Sequence, residues 1–205
     1  MSIAKSGILA LVVSTSAAAQ SSKWEIGALA GGGPSIVTAS LGGVPNGELL
    51  ITTLSVTRPL VHWKRFRASY VGEILPFVVA TKVPKVQPEW FYNSSHTDST
   101  FVLYPNGDGP DLGAGLAPVG LRFSLQLSPG MLVFAEGSGG GVAFARAMPK
   151  PTARSLNFLG SAGAGLHLGR RYIVGYRFTH LSNANTAAKN PGFNAHIFYL
   201  GITLH

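Results

Sequence analysis

The chain contains no cysteine. Disulfides and thiolate metal sites are therefore excluded. Charge is scarce as well: 12% of the 205 residues are charged, and only 8 are acidic. No stretch approaches the roughly 18 apolar residues that a membrane-spanning helix requires. Any passage through a bilayer has to be made by strands. Nucleotide-binding signatures are missing too. Gly31-Gly32-Gly33 has no following Lys and helix, so it is no phosphate loop, and Gly113-x-Gly115 is no dinucleotide fingerprint. No convergent set of ligands stands out, so neither a metal nor a cofactor is expected. What is plentiful is apolar surface, at 46% of residues, and glycine, at 26. That mix favours strands and turns, and the length suits one domain.

Lys5, the apolar run from Ile8 to Val13 and the small residues Ala17-x-Ala19 form the three parts of a secretory signal peptide. Residues 1–19 are read as a leader cleaved near Ala19, and residues 20–205 as the folded domain. Losing the leader removes Lys5 and lowers the net charge from +8 to +7. Export argues against nucleic acid as the counter-charge. Anionic lipid headgroups are the expected one.

Eight strands are predicted, at about 23–30, 49–62, 66–80, 114–127, 131–146, 155–168, 171–183 and 194–205. Long connections (31–48, 81–113, 147–154, 184–193) alternate with short ones near Lys64-Arg65, Pro129-Gly130 and Gly169-Arg170. Such alternation is the pattern of an outer-membrane barrel. The expected fold is all-β, an eight-stranded antiparallel transmembrane β-barrel. Val119, Leu121, Phe123 and Leu125 share one face, while Arg122, Ser124 and Gln126 share the other. By the same parity Glu25, Arg67, Glu73, Arg122, Glu136 and Arg177 point inward. Eight strands leave room only for side chains, so the interior is expected to be a plug of paired charges. Gly137 to Gly141 predict a bulge or bend in the fifth strand. The last residue, His205, is not the aromatic one that often closes such barrels.

His180 and Ser182 lie two apart in the seventh predicted strand, so both end the apolar face formed by Tyr172, Val174, Tyr176 and Phe178. A Ser hydroxyl is a poor nucleophile until a base takes its proton. His suits that task and the later protonation of a leaving alkoxide. Same-face neighbours are about 7 Å apart along a strand, a gap that an imidazole can close. A base and a nucleophile at the end of an apolar stripe fit a membrane barrel that acts on lipid.

His180-Leu181-Ser182-Asn183-Ala184, followed by Asn190-Pro191-Gly192-Phe193-Asn194, resembles the lipid A 3-O-deacylase (PagL-type) family. The specific resemblance runs from Gly169 to the C-terminus, and the strand architecture extends it over the mature chain. It implies an outer-membrane esterase that removes an ester-linked acyl chain from lipid A, with Ser182 as nucleophile and His180 as general base. The family's third group is a Glu fourteen positions after the His. Here Asn194 keeps that spacing without the charge. The resemblance also implies Asn183 and the backbone N–H of Ala184 as oxyanion donors. Lipid A within lipopolysaccharide is then the substrate, outer-membrane lipids are the surroundings, and a homodimer is left open.

A register with Ser182 opposite Asn194 sets His180 against His196 and Phe178 against Phe198. That makes His196 an alternative partner for the base or for a phosphate. Asp108 and Asp111 read as solvated loop acids rather than a cation bridge, and His167 as luminal and structural. His62 and His96 read as interfacial or loop residues. The alternative reading of the whole chain is a non-catalytic structural or adhesion barrel that has lost its acid. A narrow channel is disfavoured by the charged plug.

Overall fold

The computed structural model describes residues 24–83, 86–105, 109–169, 171–187 and 189–204, without the side chains of 86–89, 104 and 105. The expected leader, Asp108, Arg170 and His205 lie outside the described residues. Eleven strands follow one another: β1 (Glu25–Thr38), β2 (Gly42–Gly43), β3 (Glu48–Trp63), β4 (Phe66–Thr81), β5 (Val86–Tyr92), β6 (Ser99–Pro105), β7 (Asp111–Ser128), β8 (Met131–Met148), β9 (Arg154–Leu168), β10 (Tyr172–Ser182) and β11 (Phe193–Leu204). Eight of them form an antiparallel ring in the order β1-β3-β4-β7-β8-β9-β10-β11, closed by pairing of β11 with β1. Closure leaves no unpaired sheet edge in the ring, the condition for strands in hydrocarbon.

The side-chain alternation decides which face looks out. On β7 Leu121, Phe123 and Leu125 are exposed, while Arg122 and Ser124 are buried. The exposed set continues around the ring through Ile26, Leu54, Ile74, Leu156 and Leu200. So wide an apolar exterior would aggregate in water and is at home in lipid. Inside, Arg177 donates to Glu73 and to Glu136, at 2.9 Å each, and Arg122 donates to Glu136 at 2.7 Å. Arg67 pairs with Glu25 at 3.0 Å. All six charges therefore point inward, as the parity predicts. His167 joins them, buried within 3.4 Å of Arg122. Each charge has its counter-charge, which is what makes burial tolerable. An interior cavity beside Glu73 and Arg177 measures about 10 Å³, room for about one water. The lumen is filled, not open.

The other part of the interior is apolar. Leu49, Leu75, Val142, Leu181, Phe193 and Ile197 belong to one packed cluster. Leu181 and Phe193 face each other across β10 and β11 and are fully buried. They fix the ends of both strands from within, so their neighbours in sequence must point outward.

Four expectations need correcting. The first strand does not stop near residue 30. It runs on to Thr38 and takes Gly31-Gly32-Gly33 into the sheet. A Cβ on Gly33 would run into the carbonyl oxygen of His196, so glycine here permits close strand packing. The connection 81–113 is not all loop, because β5 and β6 form a separate hairpin within it. Trp90, Phe91, Tyr92, Phe101, Val102 and Leu103 are all exposed. With apolar residues on both faces there is no period of two to read. Asp111 is not a solvated loop acid. It begins β7, is buried, and pairs with Arg146. The bulge expected at Gly137 to Gly141 falls on the partner strand instead. Ala117 and Pro118 together oppose Gly140, one residue more than the partner strand has, and proline suits a bulge because it has no N–H to pair.

β4 and β10 stand four strands apart whichever way the ring is followed. Yet Lys189, beyond the end of β10, lies over the Phe91 ring at 6.0 Å. The hairpin that leaves β4 therefore leans across the barrel mouth toward the β10–β11 connection.

Candidate active site

Parity places His180 and Ser182 on the outward face of β10, both half-buried. The flanking Thr179 and Leu181 point into the barrel and are buried. His180 pairs with Asn194 on β11 and with Gly160 on β9, and Ser182 pairs with Phe158. The expected register, with Ser182 opposite Asn194, is thus off by two. His180 faces Asn194, Phe178 faces His196, and Tyr176 faces Phe198. The shift brings the base directly beside Asn194: His180 Nδ1 and Asn194 Oδ1 are 2.6 Å apart.

An amide oxygen can only accept, so this bond puts the imidazole hydrogen on Nδ1 and the lone pair on Nε2. The other half of the amide fixes which way Asn194 is turned. Its Nδ2 donates to the Gly42 carbonyl at 2.8 Å. Asn194 is fully buried although its parity is outward, because β2 and the segment around it close over that spot. Gly43 N donates to Pro191 O at 2.8 Å. Gly42 has φ of 66°, and a Cβ there would collide with Pro191 O. A carboxylate at position 194 could hold the imidazole but would meet the Gly42 carbonyl with no hydrogen to offer. The amide serves both neighbours.

The chain leaves β10 abruptly after the hydroxyl. Ala184 and Asn185 have φ of 50° and 62°, a left-handed pair that non-glycine residues adopt rarely. Asn183 holds this turn. Its N–H donates to Asn190 Oδ1 at 3.0 Å, and its Nδ2 donates to Lys189 O at 2.8 Å. Its carbonyl accepts from the Thr186 N–H at 3.0 Å and the Thr186 hydroxyl at 2.7 Å. Arg154 then donates twice to Thr186 O, at 3.0 and 2.9 Å. Asn183 is buried, whereas Ala184 lies at the surface beside Ser182. Asn190 is the residue whose part the sequence left unstated. Its only sequence signal was membership of the Asn190-Pro191-Gly192 motif.

A shallow trough runs down the outward wall beside His180. Its floor is Gly160, Ala162 and Ala164 on β9 with Gly139 and Gly137 on β8. Leu121 and Val119 flank it on β7, and Phe178 flanks it on β10. A Cβ added at Gly160 would meet nothing within 4 Å. The trough is therefore empty space against the barrel, apolar and open to lipid.

Residues 79–203 match the family model described as Lipid A 3-O-deacylase (PagL). Among solved structures the fold is similar to "Crystal structure of the outer membrane enzyme PagL", with a TM-score of 0.63 and 17% sequence identity. The similarity covers 87% of this chain and 99% of that one. No curated protein matches the chain.

Proposed function

The chain belongs to the lipid A 3-O-deacylase (PagL) family, and we propose that it is an outer-membrane esterase that cleaves an acyl ester of lipid A through Ser182 and His180. The reading rests chiefly on the His180–Asn194 bond of 2.6 Å, made on the lipid-facing wall beside the trough. In this mechanism His180 Nε2 takes the Ser182 proton as Oγ attacks the ester carbonyl carbon. The tetrahedral oxyanion is met by the N–H of Ala184, which enters the left-handed turn just after the nucleophile. Asn183 contributes by holding that loop, since its own N–H is shared with Asn190. The imidazolium returns its proton to the departing sugar oxygen. Water, deprotonated by His180, then attacks the acyl-Ser182 carbonyl, the imidazolium returns that proton to Ser182 Oγ as the ester bond breaks, and the fatty acid leaves.

Asn194 orients the imidazole and stabilises the imidazolium with a dipole, not a charge. The acyl chain extends down the trough, where small side chains leave it room and Phe178 and Leu121 line it. The substrate is a lipid of the outer leaflet.

The test is mass spectrometry of lipid A from cells making the wild-type barrel or Ser182→Ala. Loss of one acyl chain with the wild type and none with the variant is expected. Intact lipid A in both, with no labelling of Ser182 by a serine-reactive phosphonate, would leave the non-catalytic barrel as the better reading.

A further inference from the structure

One step down the same wall lies a second polar pair that the mechanism does not use. Tyr176 Oη and His196 Nδ1 are 2.6 Å apart. Their rings stack with centroids 5.7 Å apart and planes 24° from parallel. Phe178 meets the imidazole edge-on at 5.9 Å, and Phe198 packs against Tyr176 at 5.3 Å. His196 has outward parity, since Ala195 and Ile197 beside it are buried in the barrel. An apolar frame thus surrounds one phenol and one imidazole on a surface that faces lipid.

The donors and acceptors of the pair do not balance. If the phenol donates to Nδ1, the imidazole hydrogen sits on Nε2 and has no acceptor among the described residues. If Nδ1 donates to the phenol oxygen, the phenol hydrogen is left over instead. Either way at least one donor faces out. In hydrocarbon an unpaired donor is costly, and an ionisable group there marks a site more often than an accident. What it lacks is an oxygen acceptor. Phe178, opposite His196, lies four residues from Ser182, about 13 Å along the strand. At that distance His196 cannot reach the oxyanion.

We propose that Tyr176 and His196 form a binding site for a second part of the substrate: a carbonyl or hydroxyl oxygen carried by an acyl chain other than the one being cleaved. The inference rests on the deacylase reading above. Tyr176 fixes the imidazole, and the Nε2 hydrogen of His196 donates to that oxygen. The contact is made before and after the chemical step, so it lowers KM and leaves kcat alone. It selects substrates with a second acyl chain over those with one. His196 is a positioning residue with no part in bond breaking.

The experiment compares 2,3-diacylglucosamine 1-phosphate with its 3-monoacyl counterpart in mixed micelles. His196→Phe, which keeps the ring packing and removes the donor, should raise KM for the diacyl lipid about tenfold, the worth of one good hydrogen bond. It should change neither kcat nor the KM of the monoacyl lipid. His196→Gln, whose amide nitrogen reaches the same place, should recover most of the affinity. Equal effects of His196→Phe on both lipids, or no effect on either, would overturn the proposal. Direct binding of both lipids to the Ser182→Ala barrel separates the two levels. If the wild type cleaves neither lipid but binding still depends on His196 and on the second chain, the deacylase reading fails and the site stands. If cleavage occurs and binding ignores His196, the reverse holds.

Discussion

His167 and His180 stand on neighbouring strands of one wall, yet one faces the lumen and the other faces lipid. His167 is buried against Arg122 and edge-on to Phe134. It belongs to a network in which Glu73, Arg122, Glu136 and Arg177 neutralise one another. Nothing from outside is needed to complete it. His180 is tied through Nδ1 to Asn194, and among the described residues no hydrogen-bond partner holds its other nitrogen. The same side chain is structural where buried partners surround it, and is free to act on a ligand, as we propose for His180, where one nitrogen is left without a partner. Polar groups within a barrel's lumen stabilise the fold. Polar groups on its outside are costly and imply a ligand.

That contrast predicts two kinds of damage. Outer-face substitutions should change chemistry and spare the fold, and luminal ones the reverse. The largest effect is expected of Ser182→Ala, on the order of 10⁴-fold or more in turnover, with an unchanged urea midpoint for the folded barrel. A Ser182→Ala protein that unfolds early would break the distinction. Next comes Arg177→Met, which leaves Glu73 and Glu136 buried without their shared cation. Breaking a buried pair costs about 3–5 kcal/mol. The urea midpoint should fall accordingly, while turnover per folded molecule stays near wild type.

Asn194→Ala tests the border between the two regions, because this residue holds both the imidazole and the Gly42 carbonyl. A hydrogen bond to a charged group is worth ~1.5–3 kcal/mol, so kcat should drop about 10- to 150-fold. Turnover equal to wild type would remove Asn194 from the site. Asn194→Glu sharpens the point: added charge should favour the imidazolium, but at the expense of the Gly42 contact. The smallest effect is expected of Gly160→Leu. Its Cβ has open space, so the barrel should fold normally. Displacing about two methylenes of a bound chain, at ~0.8 kcal/mol each, should raise KM roughly tenfold for long acyl esters. KM for a short-chain ester should not move. Equal loss on both would show that the trough does not hold the chain.

Much of this was legible in the sequence. Alternation along Val119 to Leu127 separated two faces, and the charges gathered on one set of faces marked the other as the lipid side. The two-residue spacing of His180 and Ser182 put them together on the outer face. What could not be read was who meets whom. Nothing in the string assigns both Glu73 and Glu136 to Arg177. The register error has a local cause. Residues 183–187 and 189–190 are tied to one another through Asn183, Thr186, Lys189 and Asn190. Pairing therefore stops at Leu181 and Phe193, and loop length alone does not reveal that. Asp111 was misread because its partner Arg146 is 35 residues away. The β5–β6 hairpin was missed because its apolar residues do not alternate.

The sequence by itself determined the period of two, and with it the two faces of each unbulged stretch of the ring strands and the side on which His180 and Ser182 stand. Facing is a local property outside bulges: each backbone step of a regular strand reverses the side chain. Only the tertiary structure decided that Asn194 meets His180, that Tyr176 meets His196, and that glycine and alanine from adjacent strands line up as a trough. Those meetings depend on register and on closure of the ring. Both are fixed by how the strands pair and how the loops between them fold, and the order of residues within one strand carries no record of them.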